Sequence, residues 1–366
     1  LGNKMTATRR PCPKCEIVPG IPGSGWNLYM WPPLGHTGKK LARRLDALGV
    51  PREDGPDGRA VVIGMDNLLA AGGLDALAAD LSAEEQHDSS VLAVRDGDAP
   101  AFADYPRVTS LFRMVRLAGS NALAQTLSAG RIGASFTPIA AADDASDVVA
   151  YRANLHFPDL EIGTGEVVTL ASNTGLLFQL DRVCRVACIR EAANQGLDQP
   201  VFVEFHPSSI YDPVYCLRTT VAEIERTGLV AEDVVFTLSR AGDHRDVGHL
   251  LTILSYYKDR GFKVALSDVG AERGSMELLE YLRPEYFWIS QDVTSGVSQD
   301  PFRAVVAQKL LEMAHRLRIE TVAIGRLDDA DREWLYEHGV SALAIPEQAT
   351  QPGIPDGLAL TAGEDV

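Results

Sequence analysis

The sequence predicts an α/β protein: a (β/α)8 TIM-like barrel preceded by a small α/β domain. Three observations predict it. From residue 131 onward, short apolar runs rich in β-branched residues alternate with amphipathic stretches, the pattern of parallel strands covered by helices. Eight such runs occur, which favours a closed barrel over an open sheet. At 366 residues the chain exceeds a barrel of about 250 residues and leaves room for one smaller domain.

Taken in order, the leader 1–25 carries PGIPGSG and reads as irregular. It contains no apolar core of a signal peptide, and Leu1–Lys4 stand ahead of what reads as a native start at Met5. Residues 26–115 read as the small α/β domain. NLYMWPP is a strand, HTGKKLARRLDAL a helix, GRAVVIGM a second strand, LLAAGGLDALAADLS helical, and SSVLAVRDG a third strand. A helix over 111–130 joins the halves, with the domain boundary between 105 and 130. The barrel, 116–350, takes its strands from GASFTPIAA, VVAYRANL, VFVEFHP, VVFTLS, FKVALSDVG, YFWIS, ETVAIG and SALAI. Helices are expected over 165–195, 213–227, 244–260, 275–282, 302–317 and 329–338. The first two strands are linked only by AADDASD, short enough for an antiparallel hairpin. The tail 351–366, with its prolines, glycines and acids, reads as flexible.

A formal net charge of -16 argues against nucleic-acid binding, which depends on lysine and arginine neutralising phosphates, and is compatible with a basic protein partner. No run of 18 apolar residues spans a membrane. Five cysteines, an odd number, suit a reducing cytoplasmic compartment. Cys184 and Cys188, four apart in a helical run, fit its apolar face, and Cys216 stands alone. Cys12 and Cys15 in CPKC are candidate zinc ligands or a redox pair, against the plainer reading of a local turn. His36 offers a third zinc ligand, and no fourth is evident.

Chemistry in such barrels lives at the C-terminal strand ends. There stand Arg152 and Asn154, Glu204 and His206, Thr237 and Ser239, Ser267 and Asp268, Trp288 and Ser290, Ile324 and Ala344. Two acids beside an arginine fall short of a two-metal hydrolytic site, which needs several hard oxygen ligands. Neither a serine-histidine-acid set nor a glycine-rich phosphate loop occurs.

Across residues 131–346 the order of segments resembles the EAL domain, the cyclic di-GMP phosphodiesterase barrel. FTPIAA resembles its F-Q-P-I strand, and VVAYRANLH stands where that family has G-Y-E-A-L-L-R. GLLFQLDRVCRVACIREAA is similar to its first long helix, VFVEFHPSSI to F-I-N-V-S-P-x-S-L, and VVFTLSR to L-V-L-E-I-T-E. GFKVALSDVGAERGSMELLEYLRPEYFWIS resembles the run through D-D-F-G-T-G-Y-S-S-L to D-Y-I-K-I-D. IETVAIGRLDD stands for I-x-x-V-A-E-G-V-E-T, and HGVSALAIP for the closing G-x-D-Y-x-Q-G-Y.

The resemblance implies an EAL-type barrel whose chemistry has been lost. The family's signature glutamate ligand is Arg152 here, its asparagine is Glu204, its second glutamate is Thr237, and its paired aspartates are Ser267 and Asp268. The lysine that activates water is Trp288, the late glutamate Ile324 and the closing glutamine Ala344. Among the substrate contacts, Thr137 replaces a glutamine and His156 an arginine, and AERG replaces the T-G-Y-S loop that couples site to dimer interface. Of the metal-centre positions, Asp268 alone keeps its identity. The barrel metals implied by the family are therefore not expected, and Cys12 and Cys15, with His36 as the third, remain the candidate metal ligands.

Three functions follow. The first is a catalytically inactive regulator or adaptor acting through protein contacts, with a homodimer through the strands carrying SDVG and YFWIS. The second is a cyclic di-GMP receptor that binds without cleavage through Thr137, Arg152, His156, Asp268 and Trp288. The third is a residual phosphodiesterase. Arg152 is read either as a phosphate contact or as half of an ion pair plugging the mouth. The ion-pair reading places it within reach of Asp268 or Glu204, with Arg152→Ala costing roughly 1–4 kcal/mol. Trp288 could stack a guanine or simply fill the mouth, and His206 is read as a turn histidine rather than a ligand.

Overall fold

An eight-stranded closed barrel and a separate five-stranded sheet organise the chain. The computed structural model describes residues 12, 14–20, 22–239, 246–271, 275–346 and 349–362. The chain divides into one unit of Leu1–Ala129, Asp159–Leu180 and Ala359–Val366, and a second of Gly130–Pro158 and Asp181–Leu358.

The first unit begins with β1 (Ile17–Val18), β2 (Trp26–Trp31), α1 (Gly35–Leu48), β3 (Arg52–Asp54) and β4 (Val61–Gly64). It continues through α2 (Met65–Ala70), α3 (Gly73–Ala78), α4 (Ala83–Asp88), β5 (Ser90–Arg95), β6 (Thr109–Ser110), α5 (Leu111–Gly119) and α6 (Asn121–Ala129). The strand order is β3-β4-β2-β5-β6 with every pairing antiparallel. Its first four strands have the order of a split β-α-β-β-α-β unit. Alternation along the strands sends Leu28, Met30, Ile63 and Val91 into one core with Leu41, Leu45, Leu77 and Met114 of the helices. The single helix expected over LLAAGGLDALAADLS is interrupted at Gly72 and Gly73, whose φ of 101° and 75° lie where only glycine sits without strain. The helix expected over 111–130 is likewise two helices, parted at Ser120, whose hydroxyl turns back onto the Arg116 carbonyl.

The second unit carries the barrel strands β7 (Gly133–Ala141) and β8 (Val148–His156); between β8 and the next strand come α7 (Thr164–Thr174) and α8 (Leu177–Asn194). Then follow β9 (Val201–Phe205), α9 (Pro213–Cys216), α10 (Arg218–Thr227), β10 (Val234–Leu238), α11 (Val247–Lys258) and β11 (Lys263–Val269). The barrel finishes with α12 (Ser275–Leu282), β12 (Tyr286–Ile289), α13 (Gln291–Thr294), α14 (Pro301–Leu317), β13 (Glu320–Ala323), α15 (Asp329–Glu337) and β14 (Ala342–Ala344). Consecutive strands pair, and β14 closes on β7. β7 runs antiparallel to both neighbours, as the short AADDASD connection requires, and the other pairs are parallel.

The period of two along each strand makes two cores. Val203, Phe205, Phe236, Leu238, Val264, Leu266, Phe287 and Ile289 face outward onto the helices. Ile139, Ala150, Phe202, Val235, Ala265, Trp288, Val322, Ala342 and Ala344 fill the interior. Each fully buried large apolar side chain contributes about 1.5–3 kcal/mol.

Three expectations need correction. The domain division falls after Ala129, inside the expected 105–130 interval but later than the expected domain end at 115, because Leu111, Met114 and Val115 of α5 belong to the small domain's core. The leader is not wholly irregular: β1 pairs in parallel with β15 (Thr361–Ala362). Nor is the tail a free end, since Gly353 exchanges hydrogen bonds of 2.8 and 2.9 Å with Ala134, and Thr350 donates to Phe136 at 2.7 Å. A side chain at Gly353 would run into the Glu191 carboxylate, which would have to move aside. Of the AERG loop only Ala271 lies within the described residues, and of the helix expected over 244–260, residues 244 and 245 lie outside them while the helix spans Val247–Lys258.

Candidate functional site

Strand parity settles which side chains reach the barrel mouth. Phe202, Val235 and Ala265 point inward, so Glu204, Thr237 and Ser267, two residues on, point the same way nearer the C-terminal ends. The same count from Ala150 places Arg152 inward, and Trp288, Ile324 and Ala344 complete the ring. Thr237 lies level with Glu204 in the ladder, and Arg152 level with Phe202. Arg152, Phe202, Glu204, Thr237, Ser267, Asp268, Trp288 and Ile324 surround one cavity of only about 30 Å³. That is room for a water molecule or two.

Arg152 and Glu204 cap this space. The arginine Nη2 lies 3.4 Å from Glu204 Oε1, with 38% and 40% of the two side chains exposed. The same guanidinium sits 5.5 Å above the Trp288 ring. Of the two acids expected as partners, Arg152 meets Glu204; Asp268 instead accepts from the Ser267 hydroxyl at 2.8 Å. The reason is backbone geometry. Asp268 has a φ of +55°, at the point where the β11–β12 register shifts between Leu266 and Val269. A left-handed non-glycine residue at a strand irregularity is locally strained, and aspartate is among the few that tolerate it.

Trp288 forms the floor. It is 2% exposed and meets the Phe202 ring edge-on at 5.0 Å. Its Nε1 and the Thr237 hydroxyl are buried and meet no hydrogen-bond partner within the protein, and both residues line this cavity. Ala344 is buried and apolar, and half-buried Ile324 offers only its carbonyl, which accepts from the Thr294 hydroxyl.

These donors do not fit the pair of divalent cations the family implies. The ring supplies two carboxylates, one engaged by a permanent guanidinium, and an indole in place of a polar group. Among the described residues, no three or more His, Cys, Asp or Glu side chains are grouped to hold a metal ion. That bears on CPKC as well. Cys12 and Cys15 find no third ligand there, and the exposed His36 stands 3.9 Å from Glu85 instead.

The expected ligand contacts are occupied within the protein. Thr137 Oγ1 accepts from Asn154 Nδ2 at 2.9 Å, and His156 Nε2 is 2.7 Å from the Ser135 hydroxyl. Burial holds the His156 imidazole below its usual pKa, so it is neutral at pH 7. His206 is a turn residue: its amide donates to Asp181 at 2.8 Å and its ring lies 3.5 Å from the same carboxylate. Ser290 caps α13, and Ser239 borders residues outside those described. Cys184 and Cys188 are buried, with burial and the nearby Glu204 charge pushing the Cys188 thiol up to about 12.

Sequence reasoning missed the anchor of the β9 loop. Asp181 and Arg185, one turn apart on α8, form a buried ion pair, and Asp181 also accepts from Ser209 Oγ at 2.5 Å. This carboxylate thus fixes the turn leading away from Glu204. The signal was present as two charges four apart inside an apolar run.

Against known proteins, the EAL domain family matches residues 120–344. Over 84 residues the chain is 31% identical to the probable cyclic di-GMP phosphodiesterase PdeD of Escherichia coli strain K12, covering 23% of this chain and 16% of that protein. The chain spans less than a quarter of the length of the curated relatives it matches. A standalone versatile EAL protein of Vibrio cholerae O395, in its c-di-GMP-bound form, superposes with a TM-score of 0.53 and 25% identity over 63% of this chain and 94% of that one. The EAL domain of FimX from Xanthomonas citri, in complex with c-diGMP, gives a TM-score of 0.57 at 16% identity over 65% and 95% of the two chains. With an antiparallel first strand in a closed eight-stranded barrel, and a family match over more than half its length, the chain belongs to the EAL domain family.

Proposed function

We propose that this protein is a catalytically inactive EAL-type regulator, acting through protein contacts in cyclic di-GMP signalling rather than by hydrolysing the dinucleotide. The observation that carries this reading is the barrel mouth. A positive Arg152 paired with Glu204, and an indole at Trp288, stand where a two-metal displacement needs carboxylates and a base. Exposed apolar side chains on α12 and α14, Tyr281, Phe302 and Val305, support self-association on the side of the strands carrying SDVG and YFWIS. Five cysteines, all free thiols, support a cytoplasmic location.

Titration calorimetry with cyclic di-GMP, with and without Mg²⁺ or Mn²⁺, together with a hydrolysis assay, tests the proposal. The expected result is neither turnover nor binding. Binding without turnover would replace it with a non-cleaving receptor, the reading that the c-di-GMP-bound relatives favour. Metal-dependent turnover abolished by Asp268→Ala would overturn it.

A further inference from the structure

The first unit contains a cavity of about 590 Å³, within the ~300–1,000 Å³ range of small-molecule sites. It is bounded by the segment ahead of β2, by β5, by the turn before β6 and by α5. Four cationic side chains line it: Lys14, Arg95, Arg107 and Arg113. None of the described lining residues is acidic, in a chain whose net charge is -16. Apolar walls come from Leu92, Val108, Met114 and Leu117.

The cations are set in place rather than scattered. Arg95 and Arg107 lie 4.9 and 5.9 Å from the Trp26 ring centroid, so two guanidiniums share one indole. Arg107 is held by Asp104 at 2.9 Å and by the Ala93 carbonyl at 3.0 Å. Arg113 donates to the Thr174 and Gly175 carbonyls at the end of α7, at 3.4 and 3.3 Å, neutral acceptors that leave its charge in place. Partial burial, and then the charge of Arg113, hold the Lys14 ammonium below its usual pKa. Like charges gathered beside apolar walls are the arrangement that an anion relieves.

We propose that this cavity binds a small organic anion with a flat apolar body, an aromatic carboxylate or aromatic phosphate ester. Its anionic group meets Lys14, Arg95 and Arg113, with Arg107 already paired to Asp104, and its ring lies between Trp26 and the apolar wall. The cations supply attraction and the walls supply the discrimination against inorganic ions.

Calorimetry on the full chain with phenyl phosphate, inorganic phosphate and phenol tests this. Phenyl phosphate should bind more tightly than either, and Lys14→Gln with Arg95→Gln should weaken it at least tenfold. Both side chains are on the exposed rim, so the fold should survive, which circular dichroism checks. If the double variant fails to fold, the three-probe order in the unaltered protein decides alone. No heat from phenyl phosphate at millimolar concentration, equal affinity for inorganic phosphate or phenol, or an unchanged affinity in the folded double variant would overturn the proposal.

Discussion

Replacing Trp288 tests whether the mouth is held shut by a side chain that packs well but bonds poorly. Trp288→Ala removes a buried indole, a loss of about 3–5 kcal/mol for such a truncation. It also removes the edge-on contact with Phe202 and the Arg152 stacking, at 5.0 and 5.5 Å, contributions already counted in part within that loss. Against this, it relieves the unpartnered Nε1–H, an offset of about 1–3 kcal/mol. The expected net destabilisation is about 2 kcal/mol. Trp288→Phe keeps a ring in the same place and removes the same N–H. It forfeits about 1–2 kcal/mol of transfer energy and recovers a similar amount, so it should fall within about 1 kcal/mol of the unaltered protein. Hydrogen exchange at the amides of β11, β12 and β13 is the suitable assay, because it reads the barrel apart from the other unit. If phenylalanine costs as much as alanine, or alanine costs under about 1 kcal/mol, the account of Trp288 as a poorly satisfied plug is wrong.

Because a third or more of each side chain is exposed, the Arg152–Glu204 pair should show a coupling of about 0.2–1 kcal/mol in a double-mutant cycle, smaller at high salt. With the Trp288 stacking, Arg152→Ala should cost about 1–2 kcal/mol, well short of the 3–5 kcal/mol of a broken buried pair; coupling above about 2 kcal/mol would contradict the geometry. Asp331, 2% exposed, accepts from the Gly296 and Ser298 amides at 2.8 and 3.0 Å and from Ser298 Oγ at 2.7 Å, so Asp331→Ala should cost about 2–4 kcal/mol in denaturant unfolding. Burial pushes its carboxyl up, but those donors outweigh burial and hold it below 3.8. The stabilisation is therefore complete above 3.8 and lost as pH falls through the lower folded value; Asp331→Asn should flatten that acid limb, and an unchanged limb would refute the assignment.

How much of this was legible depended on the kind of signal. The barrel strands were readable because their first outward and inward residues are both apolar, giving runs such as VFV of β9 and VVF of β10 ahead of the polar positions at the mouth. β3 and β6 were not. Arg52–Asp54 is wholly exposed and Thr109–Ser110 is two residues long, so neither carries a hydrophobic pattern, and both are strands only because a neighbour offers an edge. The tail was misread for the same reason: Gly353 is fixed by backbone bonds to Ala134 of β7, which composition does not encode. At the mouth, the inward positions followed from period two, but the choice of Glu204 over Asp268 as partner of Arg152 did not. It depends on the left-handed backbone at Asp268 and a register shift, which no residue type announces.

The two faces of the same strands explain how family membership coexists with a mouth whose donors do not fit a pair of divalent cations. Phe205, Phe236, Leu266 and Phe287 point outward and, by packing against the helices, specify the barrel. Glu204, Thr237, Ser267 and Trp288 alternate with them and point into a mouth that the outer core does not need. Substitution on the inward face thus leaves the fold's main energy source untouched, while each polar group removed from the mouth must be replaced by something that fills or neutralises the space. Arg152 balances Glu204, and Trp288 closes the floor at the expense of an orphaned N–H. Such a cost, about 1–3 kcal/mol, is small against an outer core built from dozens of buried apolar side chains.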